Sequence, residues 1–296
     1  MSDGFVFVDT HVHFWDLSNH PDRYPALMAM EPAEGHDVGL GDMSGMRRDY
    51  LPATYAADVA SAGITVPKIV HVSATTLPRA YLDEITWVES LAAAHGVPTG
   101  FIGSIDPGTS PAEVTADLAA QGRSALFRGA RVLFDFDPES AATGALLDYL
   151  AAGDHVFDLV SHPAEVDGLV ALIDRNPSLR VVVEHCAWPD GPGDDNHAAW
   201  RSGLAALAAR ENVHCKISGV PMFLGEIGAA AFRPWVETIV ETFGAHRCVV
   251  GSNFPVDSLS GTYAELIAAY REVLGSASAA EQRAIWVENA ERIYKI

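Results

Sequence analysis

The stretch Val8-Asp9-Thr10-His11-Val12-His13-Phe14-Trp15 decides how the rest of this chain is read. The apolar run Phe5-Val6-Phe7-Val8 leads straight into two histidines one residue apart. On a β-strand, positions i and i+2 point to the same side. If the strand continues through this stretch, His11 and His13 face one cavity at its carboxyl end. Two converging imidazoles suit a divalent metal or a pair of proton-transfer groups. A short His-x-His also occurs in exposed turns, so the rest of the chain has to discriminate.

Working outward, a rhythm emerges. Short runs rich in β-branched and other apolar residues alternate with longer amphipathic stretches. Strands are expected at 68–72, 99–105, 126–134, 155–161, 179–184, 213–217 and 247–251. Helices are expected between them at 81–95, 111–121, 143–152, 163–175, 197–210, 233–243 and 262–274. Thr54 is read as the cap of an earlier helix running to about residue 62, and a last helix spans 279–293. Eight strand–helix units argue for a (β/α)8 TIM barrel with an extra C-terminal helix. The strands are nearly continuous apolar runs, as expected when both faces are buried. An open doubly wound sheet would usually carry a glycine-rich phosphate turn after its first strand, and this chain has His-Val-His there. Residues 16–53 form a long connection rich in Pro, Gly, Asp and Met, read as a loop over the mouth of the barrel. No repeat or boundary is visible, so residues 1–296 are expected to form one domain.

Composition narrows the function classes. Asp and Glu outnumber Lys and Arg 39 to 19, for a formal charge of −20. Such a surface repels phosphate backbones and anionic lipid, so neither nucleic acid nor membrane is an expected partner. No apolar run is long enough to span a bilayer. Met1-Ser2-Asp3-Gly4 runs directly into the first strand, so no secretory signal is expected. The odd set Cys186, Cys215 and Cys248 suggests buried core thiols in a reducing compartment. A soluble cytoplasmic protein is expected, with homo-oligomerisation left open.

In a TIM barrel the active site lies at the carboxyl ends of the strands. His11 and His13 come from strand one, Arg128 and Arg131 from strand four, and His162 and His185 from the ends of strands five and six. Lys216 and Ser218 come from strand seven, and Asn253 and Asp257 follow strand eight. Arg131, nearer the strand end than Arg128, could grip a substrate carboxylate or form an internal ion pair. His71 is read as a satisfied interior histidine. Trp15 and Tyr24 are read as shaping the pocket.

The chain resembles the amidohydrolase superfamily, in its amidohydrolase-2 branch, and most of all the lactonase-like group with 2-pyrone-4,6-dicarboxylate and sugar-acid lactonases. The residues that carry the resemblance are Asp9-Thr10-His11-Val12-His13-Phe14-Trp15, Arg128-Gly129-Ala130-Arg131, and Val183-Glu184-His185 with Trp188-Pro189. Lys216-Ile217-Ser218-Gly219, Gly251-Ser252-Asn253-Phe254-Pro255 and Asn289-Ala290-Glu291-Arg292-Ile293-Tyr294 complete it, in the family's order and over essentially the whole chain. The resemblance implies metal ligation by His11, His13, His162 and His185, with zinc the first candidate and manganese the second. Metal-independent lactone hydrolysis is the alternative. In the family an eighth-strand Asp binds metal and acts as base; here Asn253 stands there, and an amide can orient water but not take its proton. Asp257 is the neighbouring carboxylate that could substitute.

The leading expectation is therefore opening of a lactone of a carboxylate-bearing small molecule by water. His162 or His185 would activate the water, Asn253 and Asp257 would assist, and Arg131, Trp15 and Lys216 would bind substrate. Metal-dependent decarboxylation or hydration of an aromatic or enol carboxylate is the alternative. A catalytically silent binding protein is the third reading.

Overall fold

The computed structural model describes residues 4–29, 43–75 and 77–296. Its centre is an eight-stranded sheet in the order β1 to β8, every neighbouring pair parallel. The strands are β1 (Val6–Val12), β2 (Thr65–Val72), β3 (Gly100–Ser104), β4 (Phe127–Arg131), β5 (Val156–Leu159), β6 (Arg180–Val183), β7 (Val213–Ile217) and β8 (Cys248–Val250). Contacts just past the strands close the ring. Asn253 N donates to His11 O at 2.8 Å, and His13 N donates to Phe254 O at 2.9 Å. Thr10 Oγ1 donates to Val250 O at 2.7 Å. This is the (β/α)8 architecture that the alternating pattern predicts.

The helices are α1 (Pro25–Ala29), α2 (Pro52–Ser61), α3 (Tyr81–His95), α4 (Pro111–Gln121), α5 (Ala141–Ala152), α6 (Val166–Arg175) and α7 (Asp194–Ala208). They continue with α8 (Val220–Leu224), α9 (Ala229–Phe243), α10 (Tyr263–Leu274), α11 (Ala279–Arg283) and α12 (Asn289–Tyr294), the last two joined by a π-helical turn, Ala284–Glu288. The helix before β2 starts at Pro52, with Leu51 as N-cap and no side-chain cap. The expected Thr54 cap is thus displaced by proline, whose fixed φ suits a first helical turn and whose missing N–H costs nothing there. The expected loop over 16–53 is partly described. It contains α1 and two short 3-10 turns, and its two ends are held together by Trp15 and Tyr50, which exchange backbone hydrogen bonds at 3.0 Å. Its Gly39-Leu40-Gly41 segment lies outside the described residues.

Two packed layers follow from strand alternation. Phe101, Phe157 and Cys215 point outward into the layer beneath the helices. Val8, Val70, Val72, Ile102, Val156, Val182 and Val249 form a second cluster inside the ring, where Ala290, Ile293 and Tyr294 of α12 plug the amino-terminal end. The expected C-terminal helix is therefore the floor of the barrel. Among the described residues no helix is long and apolar enough to cross a membrane.

Candidate active site

Simple alternation would point His11 the wrong way. Val8 faces the interior and Asp9 faces the helices, so an unbroken strand would turn His11 outward with Asp9. The β1–β2 register shifts between Asp9 and Val12, which places three steps of β1 against two of β2. This bulge re-aims the strand, and His11 enters the barrel. There is room for it because Gly251 faces it: a Cβ on Gly251 would stand 2.6 Å from His11 Cβ.

Asp9 holds the bulge in place. Its Oδ1 accepts from Ser252 N at 2.8 Å and His11 N at 3.3 Å. Its Oδ2 accepts from Tyr55 OH at 2.9 Å and Tyr263 OH at 3.2 Å. One buried carboxylate thus ties β1 to the segment after β8 and to helices α2 and α10. Burial pushes its pKa up, against the pull of these hydrogen bonds.

His11 and His13 meet with their Nε2 atoms 3.0 Å apart. His13 Nδ1 lies 2.8 Å from Val72 O, and the Trp15 ring stacks beside His13 at 6.3 Å. Trp15 is itself buried, with Nε1 donating to Arg48 O at 2.7 Å. His185 reaches the same group, its ring centroid 4.6 Å from that of His11. It does so from strained backbone. His185, Cys186, Ala187 and Trp188 all have positive φ, between 33° and 60°. Four consecutive non-glycine residues in that region are costly and persist only where the surroundings impose them. His185 Nδ1 lies 3.0 Å from Ser218 Oγ. Gly219 passes so close that a Cβ there would stand 2.7 Å from the same nitrogen. Burial lowers the pKa of all three imidazoles, that of His185 to about 3, so they are neutral at pH 7.

Beneath them lies a buried charge network. Arg131 donates from Nη1 to Glu184 Oε2 at 3.0 Å and from Nη2 to Ser73 O at 2.6 Å. Lys216 Nζ donates to Asp158 Oδ2 at 2.7 Å and stands 3.3 Å from His11 Nδ1 and 3.8 Å from Glu184 Oε1. Burial alone would raise the Glu184 pKa, but the guanidinium of Arg131 and the ammonium of Lys216 hold it below the usual range. Burial raises Asp158 to about 7 against the pull of Lys216.

Sequence reasoning named most of these positions, but the structure sorts them. His11, His13, His185 and Lys216 come together. Arg131 lies beneath them in the internal ion pair, one of the two readings left open for it. His162 stands apart: its side chain is 40% exposed, its Nδ1 is 3.9 Å from Asp190 and its ring is 5.3 Å from that of Trp188. β5 ends at Leu159, and the following residues carry His162 out to the rim. Asn253, with φ of 55°, donates from Nδ2 to Asp257 Oδ1 at 2.7 Å and to Met222 Sδ at 3.3 Å. Asp257 is buried, and burial pushes its pKa up. His71 is satisfied in the outer layer by Phe14 N at 3.1 Å and Glu84 at 3.3 Å. Glu184, Asp158 and Asp9 were not picked out as functional. Their signal was a charge inside an otherwise apolar strand.

His11, Glu184 and His185 each offer a ligand atom, all within 4.8 Å of one another. Among the described residues, Glu184 Oε1 is buried without a hydrogen-bond partner. Two neutral imidazoles and an uncommitted carboxylate oxygen are the donor set that a catalytic zinc site uses, so these residues fit a divalent ion.

The chain matches the amidohydrolase family over residues 8–296, and it belongs to that family. An uncharacterised protein of Sinorhizobium fredii is 28% identical and aligns over 100% of both chains. An L-fucono-1,5-lactonase of Burkholderia ambifaria is 28% identical over 87% of this chain and 83% of its own. The crystal structure of a Burkholderia multivorans amidohydrolase with bound zinc superposes with a TM-score of 0.81 at 25% identity, covering 98% of this chain and 99% of that one.

Proposed function

We propose that this member of the amidohydrolase family is a hydrolase that opens the ring of a lactone by attack of water. The observation that carries the reading is the group of neutral imidazoles His11, His13 and His185, held at the carboxyl ends of β1 and β6 over a buried carboxylate. The likeness to L-fucono-1,5-lactonases supports the substrate class.

A divalent ion, zinc before manganese, held among the imidazoles of His11, His13 and His185 with the Glu184 carboxylate beside them, would supply a polarised carbonyl and a more acidic water. The protein's own groups do the rest. His185, its ring fixed by Ser218, gives its other nitrogen to the ion; with no ion bound, that nitrogen takes the proton of the attacking water. His13, under the ring of Trp15, forms the wall beside the carbonyl. Asn253, whose Nδ2 is held by Asp257 and Met222, turns its carbonyl oxygen to water or substrate. His162 meets the substrate at the rim beside Trp188.

Arg131 and Lys216 are committed to Glu184, Ser73 and Asp158. That favours an uncharged lactone ring, such as a sugar lactone, over a dicarboxylate whose charge would need a free cation. Asn253 in place of a carboxylate is the one feature that favours a binding protein without turnover.

The test is acid release at neutral pH from L-fucono-1,5-lactone, related sugar lactones and 2-pyrone-4,6-dicarboxylate, with wild type and His11→Ala. Opening of the sugar lactones, lost by orders of magnitude in a folded His11→Ala protein, is expected. Full turnover by His11→Ala, or binding of lactones without opening, overturns the reading.

A further inference from the structure

The hydrogens around His11 can be placed from the donor and acceptor chemistry of its neighbours. Lys216 is fully buried on β7 and an ammonium only donates. It stands 3.3 Å from His11 Nδ1, so that nitrogen accepts and the ring proton of His11 is on Nε2. Nε2 lies 3.0 Å from His13 Nε2, which must then be bare. The proton of His13 is left on Nδ1, 2.8 Å from Val72 O, a group that only accepts. The chain Lys216 to His11 to His13 to Val72 runs in one direction, with every ring neutral.

This arrangement has a consequence for ligands. Neither Nε2 has a free lone pair, because one carries a hydrogen and the other receives it. Glu184 Oε1 meanwhile lies 3.5 Å from His11 Nδ1 and has no hydrogen-bond partner among the described residues. If the His11 proton moves to Nδ1, Glu184 Oε1 can receive it, and Lys216 keeps its 2.7 Å contact with Asp158. Both Nε2 lone pairs then face the same space 3.0 Å apart. Two bare nitrogens that close repel each other unless a cation lies between them. The total charge is the same in both arrangements; only the position of one proton differs.

We propose that Lys216 and Glu184 are positioning residues that compete for His11 Nδ1. With Lys216 as partner, the His11–His13 pair is closed by its own hydrogen bond. With Glu184 as partner, the pair is open to a divalent cation, and Glu184 stands behind His11 as its carboxylate. The inference rests on the reading of His11 and His13 as the chemical centre, but its test does not depend on turnover.

The experiment is long-range proton–nitrogen NMR of the imidazole rings in 15N-labelled protein, metal-free and with zinc sulfate. Wild type, Lys216→Met and Glu184→Gln are compared, and zinc affinity is measured by competition with a chelator. Metal-free wild type should show His11 protonated at Nε2 and His13 at Nδ1. With zinc bound, Lys216→Met should carry the His11 proton on Nδ1, and it should tighten zinc binding by tenfold or more. Zinc should produce the same move in wild type, and Glu184→Gln should weaken zinc 10- to 100-fold, as loss of such a carboxylate partner typically does. Because Lys216→Met strands Asp158, the double variant Lys216→Met/Asp158→Asn provides a charge-balanced check on a folded protein. A His11 proton found on Nδ1 in metal-free wild type, one that stays on Nε2 when zinc is added, or a zinc affinity of Lys216→Met no tighter than wild type, overturns the proposal. Correct tautomers in a protein that opens no lactone would sink the functional reading and leave this one standing.

Discussion

Replacing Arg131 by methionine isolates what the guanidinium does. Met keeps much of the volume but leaves Glu184, fully buried, without its 3.0 Å partner, and Ser73 O without its 2.6 Å donor. Breaking a buried ion pair from one side costs about 3–5 kcal/mol, because the remaining charge stays desolvated. The Lys216 ammonium, 3.8 Å from Glu184 Oε1, offsets some of this, and the orphaned carbonyl adds about 1 kcal/mol. We expect a net loss of about 3–4 kcal/mol at pH 8. The pH dependence has a definite sign. In wild type the Glu184 pKa is lowered, so its contribution is present above the ordinary glutamate range and is lost as pH falls through the lowered value. Without Arg131 burial dominates and the pKa rises, so the carboxyl neutralises on mild acidification and the penalty fades. Urea unfolding followed by tryptophan fluorescence at pH 8 and pH 5 reads both effects. With a slope of about 3 kcal/mol per molar, the midpoint should fall by roughly 1 M at pH 8, and by clearly less at pH 5. Arg131→Met/Glu184→Gln should recover most of the loss, since it removes both charges. A loss under 1 kcal/mol, or one equal at the two pH values, would refute the assignment of Arg131 as the internal partner of Glu184.

Other expectations follow from the same geometry. Asn253→Asp should tighten zinc binding tenfold or more in a chelator competition by restoring the family's charge; it also sets two buried carboxylates side by side that must share a proton, and unchanged affinity would argue against a metal shell reaching Asn253. Asp9→Asn replaces an acceptor of four hydrogen bonds by a group that is half donor, so it should cost about 2–3 kcal/mol and lower the thermal midpoint; a protein of wild-type stability would show that the β1 bulge is held by other contacts. Cys186, Cys215 and Cys248 are buried, with pKa values raised by burial, that of Cys186 to about 12. They should resist a thiol reagent in native protein and react together on unfolding, and one fast-reacting thiol in the native state would contradict this.

The barrel was legible because its strands are separated by stretches long enough for helices, and because strands buried on both faces are apolar throughout. The histidine pair was legible for its residue types, although the strand geometry that brings it inward was not. Reading Val8 as interior and counting by twos turns His11 outward. Only the bulge between Asp9 and Val12 reverses that, and a bulge in an apolar strand has no signature in one sequence. His162 lies farther from the other histidines than a strand-end position implies for a related reason: β5 stops at Leu159, and three residues are enough to carry a side chain out to the rim. Asp158, Glu184 and Lys216 were visible as charges within apolar runs. Which of them pair is a property of the closed ring, where β4, β5, β6 and β7 face one another across the interior.

The Asp9 junction also bears on how the molecule comes to be folded. Ser252 N and Asp9 are 243 residues apart along the chain, whereas the paired residues of the other neighbouring strands are at most 60 apart. Loop-closure entropy rises by about 0.6 kcal/mol per doubling of separation, so this seam costs roughly 2 kcal/mol more to form than a neighbouring pair. It should therefore be among the late contacts on the way to the native state. The bulged strand with His11 and His13 lies on one side of the seam, and the rest of the reactive group lies on β6 and β7, reached from the other side. A late intermediate can have nearly all its helices and strands and still lack the chemistry. During refolding, recovery of zinc binding or turnover should lag behind far-ultraviolet circular dichroism, and that lag measures how long the ring stays open.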